Sequence, residues 1–264
     1  MKYNRQTVLI TGASEGIGRA TARLFAAQGY HLILLARNLA RLEELAAELS
    51  AQHAVDCTPL QADVQDAEEA WQRIGHVIEG KFLAAAIINA GVGLYGPFAE
   101  TKWEDTARLL RTNLDGALAC TRAVLPVFRR QRAGSLVLIS STIGKRALPY
   151  NAVYCATKQA LHGFADAIRL EMKPWDVHVG VVCPARTATA FFERMTYAVP
   201  QKSRRNIPTD SPETVARAVM HCVRLRRREV VVSMVGKLFS FVGYHFPRLS
   251  DYLLYRNVPR PETP

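Results

Sequence analysis

The run Thr7-Val8-Leu9-Ile10 passes without a break into Thr11-Gly12-Ala13-Ser14-Glu15-Gly16-Ile17-Gly18, and a helical pattern follows over residues 19–28. A short buried strand, a glycine-rich turn and a helix constrain the fold more than any other stretch, because together they open a parallel α/β sheet. Glycines at 12, 16 and 18 let the backbone turn sharply. They also let an anionic group approach the free N–H groups at the helix start, as in a phosphate site. The spacing is GxxxGxG, distinct from the more familiar GxGxxG; a purely structural tight turn is the alternative reading.

The alternation continues down the chain. Strand-like apolar runs recur at 31–36, about 56–61, 84–88, 135–140, 177–182 and 229–233, with helical patterns at 39–50, 66–78, 101–132, 152–172 and 211–224. Strands alternating with helices predict one Rossmann-type, doubly wound α/β domain spanning residues 1–264, its seven-stranded, mainly parallel sheet covered by helices on both faces. Pro212 behind Ser211 marks a helix start, and Pro174 fits beyond a helix end.

The second strand ends in Ala36 and Arg37, with no acid before Glu43. In a dinucleotide fold a carboxylate at this point bonds the ribose 2′-hydroxyl of NAD, whereas an arginine welcomes a 2′-phosphate. NADP(H) is therefore expected in preference to NAD(H), although Glu15 in the glycine loop counts slightly against it and Arg37 also reads as an ordinary solvated arginine. Asp63, before Val64, either accepts from an adenine amino group or caps the coming helix. Strand four ends in Asn89-Ala90-Gly91-Val92-Gly93, small residues that let a ligand come close.

Ser141, Tyr154 and Lys158 form the chemical centre of the sequence. If the segment after Pro149 is helical, Tyr154 and Lys158 stand at i and i+4 on one face, and Ser141 meets them across a loop. A hydroxyl donor, a phenol and an ammonium that lowers the phenol's pKa suit proton transfer at a carbonyl or alcohol oxygen. Three polar residues close together by chance is the plain alternative. Asn113 sits mid-helix among Leu109, Leu110, Leu114 and Leu118, where asparagine is a mediocre helix former; a bond to a neighbouring carbonyl would also explain it.

Composition narrows the field. A chain of 264 residues with 49% hydrophobic content can bury a full core, and its +11 net charge favours anionic partners without choosing among them. Basic concentrations at Arg129-Arg130-Gln131-Arg132, at 202–205 and at 224–228 lack interleaved aromatics, so no nucleic-acid site is expected. Five scattered cysteines read as free thiols in a reducing compartment, and no Cys/His cluster suggests a metal. No signal peptide and no run of about 18 apolar residues is present, so a cytoplasmic protein is expected.

Residues 190–210 have no sustained period and read as a mobile insertion over the pocket, a substrate lid. Residues 236–264 form an aromatic and basic extension with a Pro-rich end expected to be disordered. Its aromatic part suits pocket cover or homo-oligomer contact. Peripheral membrane contact is the lesser option, because Pro247 interrupts any long helix.

Taken together these pieces resemble the short-chain dehydrogenases/reductases over nearly the whole chain. Residues 11–18 match that family's TGxxxGxG loop, Asn89-Ala90-Gly91 its NAG motif, and Ser141, Tyr154 and Lys158 its Ser…YxxxK arrangement. Ser141 fits better than Ser140, because the family's usual gap to the tyrosine is thirteen positions. The resemblance implies four catalytic residues, Asn113, Ser141, Tyr154 and Lys158, with Asn113 positioning a water for proton relay. It implies a cofactor surface of Gly12, Ser14, Glu15, Gly16, Ile17, Gly18, Arg37, Asp63, Val64, Asn89, Ala90, Gly91, Tyr154, Lys158, Pro184, Thr187 and Thr189. Pro184-Ala185 departs from the family's Pro-Gly, which is tolerable if the backbone there needs no positive φ.

The expected activity is hydride transfer between NADP(H) and a hydrophobic ketone or secondary alcohol, in a homodimer or homotetramer. A non-catalytic NADP(H) sensor or scaffold of the same fold is the rival, disfavoured by an intact Asn-Ser-Tyr-Lys set. A nucleic-acid binder is supported by charge alone.

Overall fold

The computed structural model describes residues 6–199 and 209–258. Strands β1 (Gln6–Thr11), β2 (His31–Ala36), β3 (Cys57–Gln61), β4 (Phe82–Ile88), β6 (Ser135–Ile139), β7 (His178–Cys183) and β9 (Glu229–Val231) form one sheet. Its order is β3-β2-β1-β4-β6-β7-β9, and every pairing is parallel. Alternation along the strands loads both faces. Leu9, Ile33, Leu35, Ile88 and Leu138 point into one apolar layer, which is covered by α3 (Ala67–Val77), α5 (Gly116–Gln131) and α6 (Ala152–Met172). Val8, Ile10, Leu32, Leu34 and Ile139 point into the other, under α1 (Gly16–Ala26), α2 (Leu39–His53) and α7 (Pro212–Arg224). Burial on both sides is why these strands read as continuous apolar runs.

Side chains set the helix starts. The Asn38 side chain accepts from the Arg41 N–H at 3.0 Å and opens α2. Asp66 accepts from Glu69 N–H at 3.0 Å and opens α3, so the expectation that Asp63 might serve as that cap is corrected. Ser211 caps α7 with Pro212 at its first position, as the sequence predicts.

Two expectations change. The helix expected over 101–132 is three pieces: α4 (Trp103–Leu110), a π-helical turn (Arg111–Asp115) and α5. A π turn carries an extra residue, which turns its side chains to directions an unbroken α-helix would not give them. Residues 190–199 are not simply irregular, because β8 (Thr196–Tyr197) pairs in parallel with β5 (Leu94–Tyr95). Residues 200–208, with the basic cluster at 202–205, and the Pro-rich end from 259 lie outside the described residues. The tail forms α8 (Met234–His245) and α9 (Pro247–Asn257), and Pro247 separates them as the sequence implies.

The five cysteines are free. Burial pushes the Cys120 and Cys222 thiols up to about 12, so both stay neutral and serve as packing.

Candidate active site

The sheet order reverses between β1 and β4, and a crevice opens where their carboxyl ends diverge. A cavity of about 1170 Å³ fills it. Seventeen of the nineteen residues named from sequence line this cavity; Gly18 and Asn113 stand one layer behind.

The glycine loop forms its floor. Gly12 adopts φ +66°, and a Cβ there would lie 2.9 Å from the Asn89 side chain and 3.0 Å from the Ala90 backbone. A Cβ on Gly18 would fall 2.1 Å from the Gly12 carbonyl oxygen, so only glycine lets α1 start this close to the turn. Asn89 clamps the loop to β4. Its Nδ2 donates to the Thr11 carbonyl at 3.0 Å, while Thr11 Oγ1 accepts from the N–H groups of Asn89 and Ala90 at 2.9 and 3.0 Å. Glu15 stands at the N-cap of α1 without capping it. Its carboxylate is instead held by Arg41, at 3.1 Å, and by Arg194. The first amides of α1 therefore face a cradle suited to a pyrophosphate.

Arg37 is largely exposed on the cavity wall, 3.9 Å from Asp63, and Asn38 and Arg41 stand beside it. Asp63 Oδ1 accepts from the Gln65 N–H at 3.0 Å, which fixes the carboxylate at the rim. Across the cavity, a Cβ on Gly16 would lie 3.1 Å from Thr189, so the loop after β7 closes onto the glycine loop. Ala185 is not among the residues with positive φ, which explains why alanine serves in that loop.

At the other end, α6 carries Tyr154 and Lys158 one turn apart, and Lys158 Nζ lies 5.8 Å from the Tyr154 ring centre. Lys158 is buried, and its ammonium donates to the Ile139 carbonyl at 2.9 Å. Burial lowers its pKa to about 8. For Tyr154 the expectation of a lowered pKa is corrected. Burial pushes the phenol well up, a neighbouring Cys155 adds to the rise, and a hydrogen bond with Ser141 brings back only part of it. Desolvation dominates here, so the phenol holds its proton.

Asn113 lies in the π turn and is fully buried. Its Oδ1 accepts from the Val92 N–H at 2.8 Å and its Nδ2 donates to the Val92 carbonyl at 2.9 Å, with Thr157 Oγ1 at 3.4 Å. The side chain is thus committed to holding the loop after β4 against α6. Gly91 sits between them: a Cβ there would lie 3.3 Å from Asn113 Oδ1 and 3.6 Å from Lys158 Nζ.

A family profile described as "short chain dehydrogenase" matches residues 6–198. The chain belongs to the short-chain dehydrogenase family. It is 34% identical over 241 residues to dehydrogenase/reductase SDR family member 7B of Xenopus laevis, covering 86% of this chain and 73% of that protein. It is also 34% identical over 241 residues to an NADP-dependent 3-hydroxy acid dehydrogenase of Schizosaccharomyces pombe, covering 88% and 91%. A short-chain dehydrogenase from Sphingobium yanoikuyae in complex with NADPH superposes with a TM-score of 0.80 at 26% identity, covering 98% of each chain.

Several residues of this short-chain dehydrogenase site are invisible to motif reading. Arg41 and Arg194 neutralise Glu15, and Thr11 and Thr157 brace Asn89 and Asn113. Behind the cavity, Ser140 Oγ donates to the Lys158 carbonyl at 2.9 Å and meets His162 Nε2 at 3.0 Å. Glu229 faces His162 at 3.5 Å and takes the Lys145 ammonium at 2.7 Å; these partners hold its pKa down to about 2. Cys183 completes a His-Cys-Glu group that no sequence spacing foreshadowed, but Lys145 already supplies the positive charge there. Only a fold that joins β6, α6, β7 and β9 brings these residues together.

Proposed function

We propose that the chain reduces hydrophobic ketones, or oxidises the matching secondary alcohols, with NADP(H) as hydride carrier. The described chain would act as one catalytic unit, with residues 190–199 as the described part of its lid. The observation that carries this reading is the Tyr154-Lys158-Ser141 cluster facing the glycine cradle across one cavity. The cradle fits a dinucleotide, because glycine at 12 and 18 lets the turn and the start of α1 pack this closely and leaves Gly12, Ser14, Gly16 and Ile17 to line the cavity at the helix N-terminus. When bound, the nicotinamide supplies or accepts the hydride. Arg37 and Arg41 are assigned to the 2′-phosphate. The relative named NADP-dependent and the neighbour holding NADPH support that choice. NAD(H) is the weaker alternative, and a neighbouring 3-oxoacyl reductase was solved with NAD bound.

In this assignment Tyr154 gives its proton to the substrate oxygen during reduction and takes it back during oxidation. Ser141 donates to the same oxygen and stabilises charge developing on it. The Lys158 ammonium favours the phenolate left behind. Asn113 acts as a positioning residue for the loop 89–93, since both ends of its amide are bonded to Val92. Apolar side chains surround the space beside Tyr154: Tyr95, Leu148, Phe191, Phe192, Met195 and Phe239. The Phe191 ring stands 6.0 Å from that of Tyr154, which favours a bulky apolar substituent over a sugar.

The direct test follows NADPH oxidation with a panel of ketones, aldehydes and quinones. Turnover is expected with apolar ketones, and none with any member would overturn the reading. A pH signature accompanies it. Lys158 must be charged, and its pKa is lowered to about 8, so kcat/KM for reduction is expected to fall as pH rises through about 8. Tyr154, shifted up, stays protonated over that range and adds no second limb. A profile flat to pH 10 would remove Lys158 from its role. The same shift makes stability rise between pH about 8 and 10.5, because the unfolded lysine binds the proton that the buried one sheds.

A further inference from the structure

Helix α8 is built inside out. Its small residues Gly236, Ser240 and Gly243 are the buried ones, seated against the loop that follows Ser141. A Cβ on Gly236 would lie 2.7 Å from Thr142, and one on Gly243 would lie 2.5 Å from Arg146. Ser250 continues the seam in α9, accepting from Arg146 Nε at 3.0 Å. The large apolar residues therefore face solvent: Met234, Leu238 at 64% exposure, Phe241, Tyr244 at 80%, Phe246 and Tyr252. A monomer's surface rarely gathers so many apolar side chains in one place without something to cover them.

Charge decides what covers them. Lys237, Arg248 and Arg256 stand among the apolar residues, and the one acid within 234–258, Asp251, is tied to Arg146. A two-fold contact with a second copy would set these cations against their own counterparts with no carboxylate in the patch to pair them. An anionic lipid surface suits both features, since apolar and aromatic side chains enter the headgroup boundary while lysine and arginine meet the phosphates. The net charge of +11 adds long-range attraction.

We propose that α8 and α9 dock the protein on an anionic membrane surface as a monotopic contact. Among the described residues no helix is long and apolar enough to cross a membrane, so the contact is peripheral. The patch runs into the mouth of the cavity: Val235, Gly236 and Phe239 of the same helix line it. The docked face and the pocket entrance thus lie side by side. Lipid binding itself does not depend on the reaction assigned above.

Full-length protein is spun with sucrose-loaded vesicles of phosphatidylcholine containing about 30% phosphatidylglycerol, and with phosphatidylcholine alone. Co-sedimentation is expected with the anionic vesicles at about 0.1 M salt, with release as salt rises. Leu238→Glu with Phe241→Glu should abolish it, with NADPH binding and the thermal melt serving as controls for folding. Lys237→Gln, Arg248→Gln and Arg256→Gln together keep the apolar face and should weaken binding on the order of 100-fold. Three results would overturn the proposal: no binding to anionic vesicles, equal binding to neutral ones, or a stable dimer that the Leu238/Phe241 pair dissolves.

Discussion

Tyr154→Phe is expected to abolish ketone reduction while leaving NADPH binding nearly intact. The substitution removes one oxygen from a half-buried ring and otherwise keeps its shape, so the packing of Phe191 against it survives. What disappears is the phenol next to Lys158, and with it the group assigned to deliver a proton to the substrate oxygen. Loss of a general acid costs about 10²–10⁴ in rate. The raised pKa keeps the proton on the phenol until the substrate oxygen takes it, and the Phe side chain offers no group in its place. Lys158 keeps its bond to the Ile139 carbonyl and should stay in place. Steady-state rates paired with fluorescence titration of NADPH separate chemistry from binding. Turnover within tenfold of the parent, with binding unchanged, would overturn the acid/base assignment.

How much of this was legible beforehand differs by residue. The sheet was readable because β1, β2, β4, β6 and β7 are apolar and buried along nearly their whole length, and the strand-helix alternation admits few topologies. The glycine loop and the Tyr154-Lys158 pair were readable because local backbone rules fix their spacing. The π turn at Arg111–Asp115 was not, since its one apolar residue, Leu114, suits an α-helix equally well and the bonds of Asn113 to Val92 join residues 21 positions apart. The direction of the Tyr154 shift was missed because spacing reveals the lysine but not the burial. The Lys145-Glu229-His162-Ser140 network joins residues up to 89 positions apart, and nothing local announces it. The tail reads as an aromatic and basic extension, yet the small residues of α8, not its large ones, face the protein. Periodicity alone cannot say which face a helix turns inward.

Arg37→Ala combined with Arg41→Ala is expected to weaken NADPH binding by about 100-fold and leave NADH within a few-fold of the parent. Both guanidinium groups line the adenosine end of the cavity, where the second strand delivers no acid. Each charge-assisted bond to a phosphate is worth roughly 1.5–3 kcal/mol when shielded. The exposure of both side chains reduces the combined loss to about 3 kcal/mol, which is the factor given. A further penalty comes from Glu15, which keeps Arg194 but loses Arg41 and so presents more negative charge to the phosphates. NADH has no 2′-phosphate to be held, so only the weaker effect of Glu15 on its pyrophosphate remains, which is the few-fold change expected. Titrations of both cofactors at one ionic strength read the difference directly. An equal loss for NADH and NADPH would place these arginines in general support of the loop, and a preference for NADH in the parent protein would end the argument from Arg37.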